Sequence, residues 1–150
     1  MNTVVVGLGN RYRRDDGVGV VAAEALNELA LADVRVVTDI AEPVSLIEAW
    51  SGAGLAVVID AAVVTRSTPG RVRRCDVSDV AACEGLSTHG IDIARTYALA
   101  RALGRVPGAL VVFTVDVADT GQGVGLTPHV AGAVLEVVRV VVDEIHRVHG

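Results

Sequence analysis

Residues 4–20, VVVGLGNRYRRDDGVGV, constrain the fold more than any other stretch of the chain. Three consecutive valines run without polar alternation into a glycine turn, the pattern of a strand buried on both faces. Gly7 and Gly9 permit backbone conformations that a Cβ obstructs, so the chain leaves the sheet sharply. The turn then delivers two adjacent carboxylates, Asp15 and Asp16, to the start of a helix. Either can cap that helix by accepting hydrogen bonds from its unpaired N–H groups.

The rest of the chain repeats this alternation. Apolar positions Val18, Val21, Ala22, Ala25, Leu26 and Leu29 recur at helical spacing over residues 15–31, with Glu24 and Glu28 opposite. Residues 34–38 read as a short second strand, 39–43 as a loop, 44–50 as a helix ended by Ser51-Gly52, and 55–59 as a third buried strand that stops at Asp60. The connection from Asp60 to Arg71 carries the turn Thr68-Pro69-Gly70 and is too short for a helical crossover. A strand over residues 71–75 therefore runs antiparallel, at an exposed edge. Ser87 or Thr88 caps a helix over 89–103 that Gly104 ends, residues 109–115 form another buried strand, and Pro128 opens the last helix. That helix turns Val130, Val134, Val137, Val138, Val141 and Ile145 inward, with Arg139, Asp143 and Arg147 outside. The pattern predicts an α/β fold, a three-layer α/β/α sandwich on a mostly parallel sheet. Ligands of such sheets bind beyond the carboxyl ends of the strands, where strand order reverses.

Composition limits the function. With 150 residues, 51% hydrophobic, one domain over 1–150 can bury a core without structural metal. The apolar runs fall short of the ~18–20 residues a membrane span needs. No signal-peptide pattern opens the chain, and the expected location is cytoplasmic. A net charge of −5 argues against a nucleic-acid surface. All the basic residues are arginine, and the cluster Arg11, Arg13, Arg14 reads either as solvated loop charge or as a local anion-facing patch. Cys75 and Cys83 match no disulfide or metal framework and are expected as reduced thiols.

Three side chains fall at the same predicted rim: Asp16 after the first strand, Asp60 at the end of the third, and His89 at a helix start. Two carboxylates and an imidazole suit a divalent ion such as nickel or zinc, and the same set can activate a water. Each also has a plain structural role: Asp16 as a helix cap, Asp60 as a turn cap, His89 as a surface histidine. Ser45 and Ser87 lack the G-x-S-x-G setting of a hydrolase elbow, and the cysteines lack a neighbouring histidine. Gly7-x-Gly9 is followed by Tyr12 where a dinucleotide fingerprint has its third glycine, and a Lys-free chain has no Walker lysine. His129, His146 and His149 receive no role.

Four stretches together resemble the hydrogenase maturation proteases, which trim the large-subunit precursor of nickel–iron hydrogenases. They are VVVGLGNRYRRDDGVGV at 4–20, LAVVIDA at 55–61 with its TPG turn, STHG at 87–90 and GVGLTPHV at 123–130. The resemblance implies a five-stranded sheet with one antiparallel strand, in agreement with the short connection before Arg71. It implies that Asp16, Asp60 and His89 bind nickel and carry the catalysis. The first of these is commonly Glu in the family, so Asp16 shortens that arm by one methylene. The nickel is implied to arrive in the substrate, and the partner to be the hydrogenase large-subunit precursor, met by a monomer or weak oligomer. A metal-polarised carbonyl attacked by water, with Asp16 or Asp60 assisting, is the mechanism this suggests. Where many members carry a glycine-rich turn after the second strand, this chain has Asp39-Ile40-Ala41-Glu42-Pro43.

Two other readings compete. Peptidyl-tRNA hydrolases share the V-G-L-G-N turn and a nearby tyrosine, which would make Asn10 functional. Their histidine after the tyrosine is replaced here by Asp15-Asp16, and the acidic charge suits tRNA poorly. The third reading is a non-catalytic domain of the same fold that binds a metal or a partner.

Overall fold

The computed structural model describes residues 2–64, 67–76 and 91–149. Among them are five strands, β1 (Thr3–Gly7), β2 (Val34–Val37), β3 (Leu55–Ala62), β4 (Val72–Asp76) and β5 (Leu110–Asp116). Four helices accompany them: α1 (Val18–Asn27), α2 (Pro43–Trp50), α3 (Ile93–Leu103) and α4 (Pro128–His149). The strands form one sheet in the order β2-β1-β3-β5-β4, parallel except for β4, which runs antiparallel to β5. The expected three-layer α/β/α sandwich is the observed architecture.

Side-chain alternation along the strands feeds two cores. Val4, Val6, Val58 and Val112 pack toward Leu46 and Trp50 of α2 and Ile93 of α3. Val5, Val57, Ile59 and Phe113 pack toward Leu26 of α1 and Val137 of α4. Because both faces are covered, β1 and β3 read as apolar runs rather than alternating ones. The helix α1 lies against the sheet at backbone distance. A Cβ on Gly19 would stand 2.3 Å from the Ile59 carbonyl oxygen and 2.5 Å from that of Leu8.

Several boundaries differ from the expectation. Neither Asp15 nor Asp16 caps α1: a 3₁₀ turn, Arg14–Gly17, precedes it, and no side chain closes its N-terminus. Close seating by Gly19 rotates the helix, so its buried face is Val18, Val20, Ala22, Ala23 and Leu26, while Leu29 lies beyond its end and is exposed. The third strand does not stop at Asp60 but continues to Ala62, because β5 extends the pairing through Ala62↔Asp116. The helix expected from residue 89 is described from Ile93, and its cap is Asp92, which accepts a 3.1 Å hydrogen bond from the Arg95 N–H. Gly104 ends it in the left-handed conformation, as expected. Ser87, Thr88, His89 and Cys83 lie outside the described residues.

The edge strand β4 is less open than its Arg-Val alternation predicts. Its residue Cys75 turns into the core beside Val112 and is disulfide-bonded, not the reduced thiol expected. On the other face Arg74 reaches Glu144, an acidic residue of α4 that is almost wholly buried and also meets Arg147. Among the described residues, no helix is long and apolar enough to cross a membrane.

Candidate active site

Between β1 and β3 the strand order reverses, so the loops leaving these two strands diverge. The crevice they open is where a ligand of such a sheet sits. A cleft of about 690 Å³ occupies it, lined by Leu8, Asn10, Tyr12, Asp16, Asp60 and Ile91, among others. The loop after β2 closes the far side through Asp39, Ile40 and Ala41.

Asp16 reaches the cleft because the first loop folds back on itself. Gly9 adopts φ 118°, and a Cβ there would lie 2.0 Å from the Asp16 carbonyl oxygen, so only glycine fits. The Asn10 N–H donates to Asp16 Oδ2 at 2.9 Å, and Asn10 Oδ1 accepts from the Tyr12 N–H at 2.9 Å. Asn10 is thus a turn residue that holds Asp16 in place.

Asp60 stands on the same face of β3 as Val58, near the strand's carboxyl end. Its Oδ1 accepts a 2.8 Å hydrogen bond from the Ala61 N–H. Burial pushes its carboxyl up to about 8, against the opposing effect of that hydrogen bond, and the nearby charge of Asp16 pushes the same way as burial. Among the described residues, Asp16 Oδ1 and Asp60 Oδ2 take no hydrogen bond. The structure brings together Asp16 and Asp60 of the three candidates, while His89 lies outside the described residues. Among the described residues no group of three acidic, histidine or cysteine side chains is placed to hold a metal. Two hard carboxylate oxygens at the floor of a cleft fit a divalent cation as a partial ligand set.

Asp15 does what the sequence reading did not foresee. It is wholly buried, and it binds the loop before α4 rather than α1. Its Oδ2 accepts from the N–H groups of Ala118 (2.9 Å) and Asp119 (3.0 Å) and from the Thr127 hydroxyl (2.7 Å). Its Oδ1 accepts from the Thr127 N–H at 2.7 Å. Burial opposes the charge, but these four donors together hold the carboxyl below its ordinary value. The arginine cluster stays at the surface, partly solvated, but each of its side chains also has a partner within the protein. Arg13 Nε donates to the Thr120 carbonyl, Arg14 Nε to the Gln122 carbonyl, and Arg11 pairs with Glu24 at 2.9 Å. The first loop and the 117–127 loop are one clamped unit. A Thr-Pro pair at a helix start facing a distant Asp-Asp is too common a pattern to have revealed it.

A doubly covered sheet with an antiparallel edge and a carboxylate pair in its switch-point crevice defines an α/β protein built to act on a ligand at its strand ends. The family model of the HycI hydrogenase maturation proteases matches residues 20–144, and the chain belongs to that family of endopeptidases. The match spans Asp60 and His89 and begins just after Asp16. No curated protein matches the chain by sequence. Among solved structures, it is similar to the hydrogenase maturating endopeptidase HybD from E. coli, with a TM-score of 0.86 and 22% identity over 98% of this chain and 93% of that one. An endopeptidase from Escherichia coli solved in solution gives a TM-score of 0.83 and 24% identity, covering 94% and 90% of the two chains. The [NiFe] hydrogenase maturation protease HybD from Thermococcus kodakarensis gives 0.74 and 21%, covering 95% and 98%.

Proposed function

We propose that this endopeptidase removes the C-terminal peptide of a nickel–iron hydrogenase large-subunit precursor that already carries nickel, and that Asp16, Asp60 and His89 recognise the loaded precursor. The observation that supports this most is the Asp16–Asp60 pair in one cleft, each carboxylate with one oxygen that takes no hydrogen bond among the described residues. The nickel belongs to the substrate and supplies Lewis acidity at the scissile carbonyl.

The chain's own contribution follows from its electrostatics. Asp60, its carboxyl pushed up to about 8 by burial, holds a proton at neutral pH when no cation engages it. Engaging a cation displaces that proton, so loaded precursor is bound more tightly as pH rises toward 8. Asp16, fixed by the Asn10 N–H, presents its other oxygen to accept a proton from the attacking water. His89 joins the set through the resemblance of STHG at 87–90 to the family's motif. This reading also places the protein in the cytoplasm, working as a monomer or weak oligomer.

A mass-spectrometric assay with nickel-loaded and nickel-free precursor tests the proposal. Loss of a C-terminal peptide only from the loaded sample, abolished by Asp60→Asn, is the expected result. Cleavage in both samples removes nickel from recognition. Complex formation without trimming shifts this chain to a partner-binding role.

A further inference from the structure

Two of the residues that line the candidate cleft are arginines, Arg11 and Arg13. Both are partly exposed, whereas Arg14, the third arginine of the loop, turns to the Gln122 carbonyl and to Asp119 at 3.6 Å. Positive charge here works against Asp16 and Asp60. A cation held by two carboxylates is repelled by guanidinium groups lining the same space. Arg13 has a structural reason to stand there, since its Nε donates to the Thr120 carbonyl at 3.1 Å and ties the two loops together. Arg11 has no comparable tie. Among the described residues its one hydrogen bond runs from Nη2 to Glu24 at 2.9 Å, between side chains that are 41% and 50% exposed. A pair so open to water contributes little to stability and is readily exchanged for another.

The backbone beneath Arg11 is fixed all the same. A Cβ on Gly17 would lie 2.7 Å from the Arg11 Cα, so this residue is seated directly on the turn that carries Asp16. The following N–H, that of Tyr12, donates to Asn10 Oδ1 at 2.9 Å. A long cationic arm on a fixed base suits capture of a carboxylate, which the planar guanidinium meets with two parallel hydrogen bonds. The acidic charges that act on Arg11 in the free protein are Glu24 and, more weakly, Asp39. An incoming carboxylate competes with Glu24 for it.

We propose that Arg11, reinforced by the positive charge of Arg13, binds a carboxylate of the precursor segment that enters the cleft. The proposal rests on the proposed proteolytic function. An occupant that brings a cation to Asp16 and Asp60 also brings it toward two arginines, and a carboxylate on the same occupant offsets that repulsion. Charges of both signs then fix the direction in which the segment lies. An acidic side chain and the precursor's own C-terminus present the same group to Arg11.

The test measures Kd and KM for nickel-loaded precursor with wild type, Arg11→Gln and Glu24→Gln, at about 20 mM and about 500 mM salt. Arg11→Gln is expected to raise both constants about three- to tenfold at low salt, with the difference shrinking at high salt. Glu24→Gln releases Arg11 and leaves Kd equal to that of wild type or lower. An Arg11 that served only to hold Glu24 would make both variants weaken binding alike. That outcome overturns the proposal, as does an unchanged Kd in Arg11→Gln. Precursors with single acidic residues near the scissile bond neutralised, and one lengthened by a neutral Gly-Ser tail, locate the carboxylate. The change that weakens binding to wild type but not to Arg11→Gln names its source, side chain or C-terminus. A set in which no change discriminates between the two proteins overturns the proposal. In all these cases trimming by wild type and its loss in Asp60→Asn leave the proteolytic reading standing. Wild-type protein that neither binds nor trims overturns both.

Discussion

Replacing Asp15 by alanine removes the acceptor of four hydrogen bonds at once, three from backbone N–H groups and one from a hydroxyl. Hydrogen bonds to a charged group each contribute about 1.5–3 kcal/mol, and a buried donor left unpaired costs about 1–3 kcal/mol. The full sum is not reached, because the space vacated by the carboxylate admits water to some of the donors. A loss of about 3–5 kcal/mol is expected for Asp15→Ala, a large part of the ~5–15 kcal/mol that holds a domain folded. Asp15→Asn keeps one oxygen but turns an N–H toward the donors of the other, and loses about 2–3 kcal/mol. The dependence on pH has a definite sign. The folded carboxyl lies below its ordinary value, so its contribution is complete above about pH 4 and is lost as pH falls through the folded value. Urea unfolding of wild type and both variants at pH 7 and in a series down to pH 3 measures this. The gap between wild type and Asp15→Ala should narrow in acid. A loss under about 1 kcal/mol at pH 7 in both variants, with no change in amide exchange at Ala118, Asp119 and Thr127, would refute the clamp.

Two further outcomes are expected. For Asp60 the sign is opposite: its folded carboxyl is raised to about 8, so wild-type stability falls as pH climbs from about 4 to 8, and Asp60→Asn flattens that slope in urea unfolding without metal. Gly19→Ala places a methyl 2.3 Å from the Ile59 carbonyl oxygen, which α1 can relieve only by moving, and a loss of about 2–4 kcal/mol in thermal unfolding should result.

The parts of this fold that are set by local chemistry were readable from the sequence. Unbroken apolar runs marked β1, β3 and β5, Pro128 marked the start of α4, Gly104 the end of α3, and the short link at Thr68–Gly70 the antiparallel strand. What escaped reading depends on residues far apart in the chain. The rotation of α1 follows from contact between Gly19 and Ile59, which helical periodicity does not contain. The extension of β3 past Asp60 follows from its partner β5. Local pattern assigned Asp15 and Asp16 the same capping role, yet one ties two loops together and the other faces the cleft. Helical spacing sets Glu144 beside Val137 and Val141 on the buried flank of α4, but it does not contain the distant partner that pairs its charge there, Arg74 on β4.

The Asp15–Thr127 contact joins residues separated by 112 positions. Most of the sheet can pair while the chain is still being synthesised, but the first loop has no donors for Asp15 until residues 118–127 have emerged. The frame of the cleft therefore closes only once the start of α4 is available to the first loop. A nascent or truncated chain lacking that segment carries Asp16 and Asp60 without the frame that aligns them.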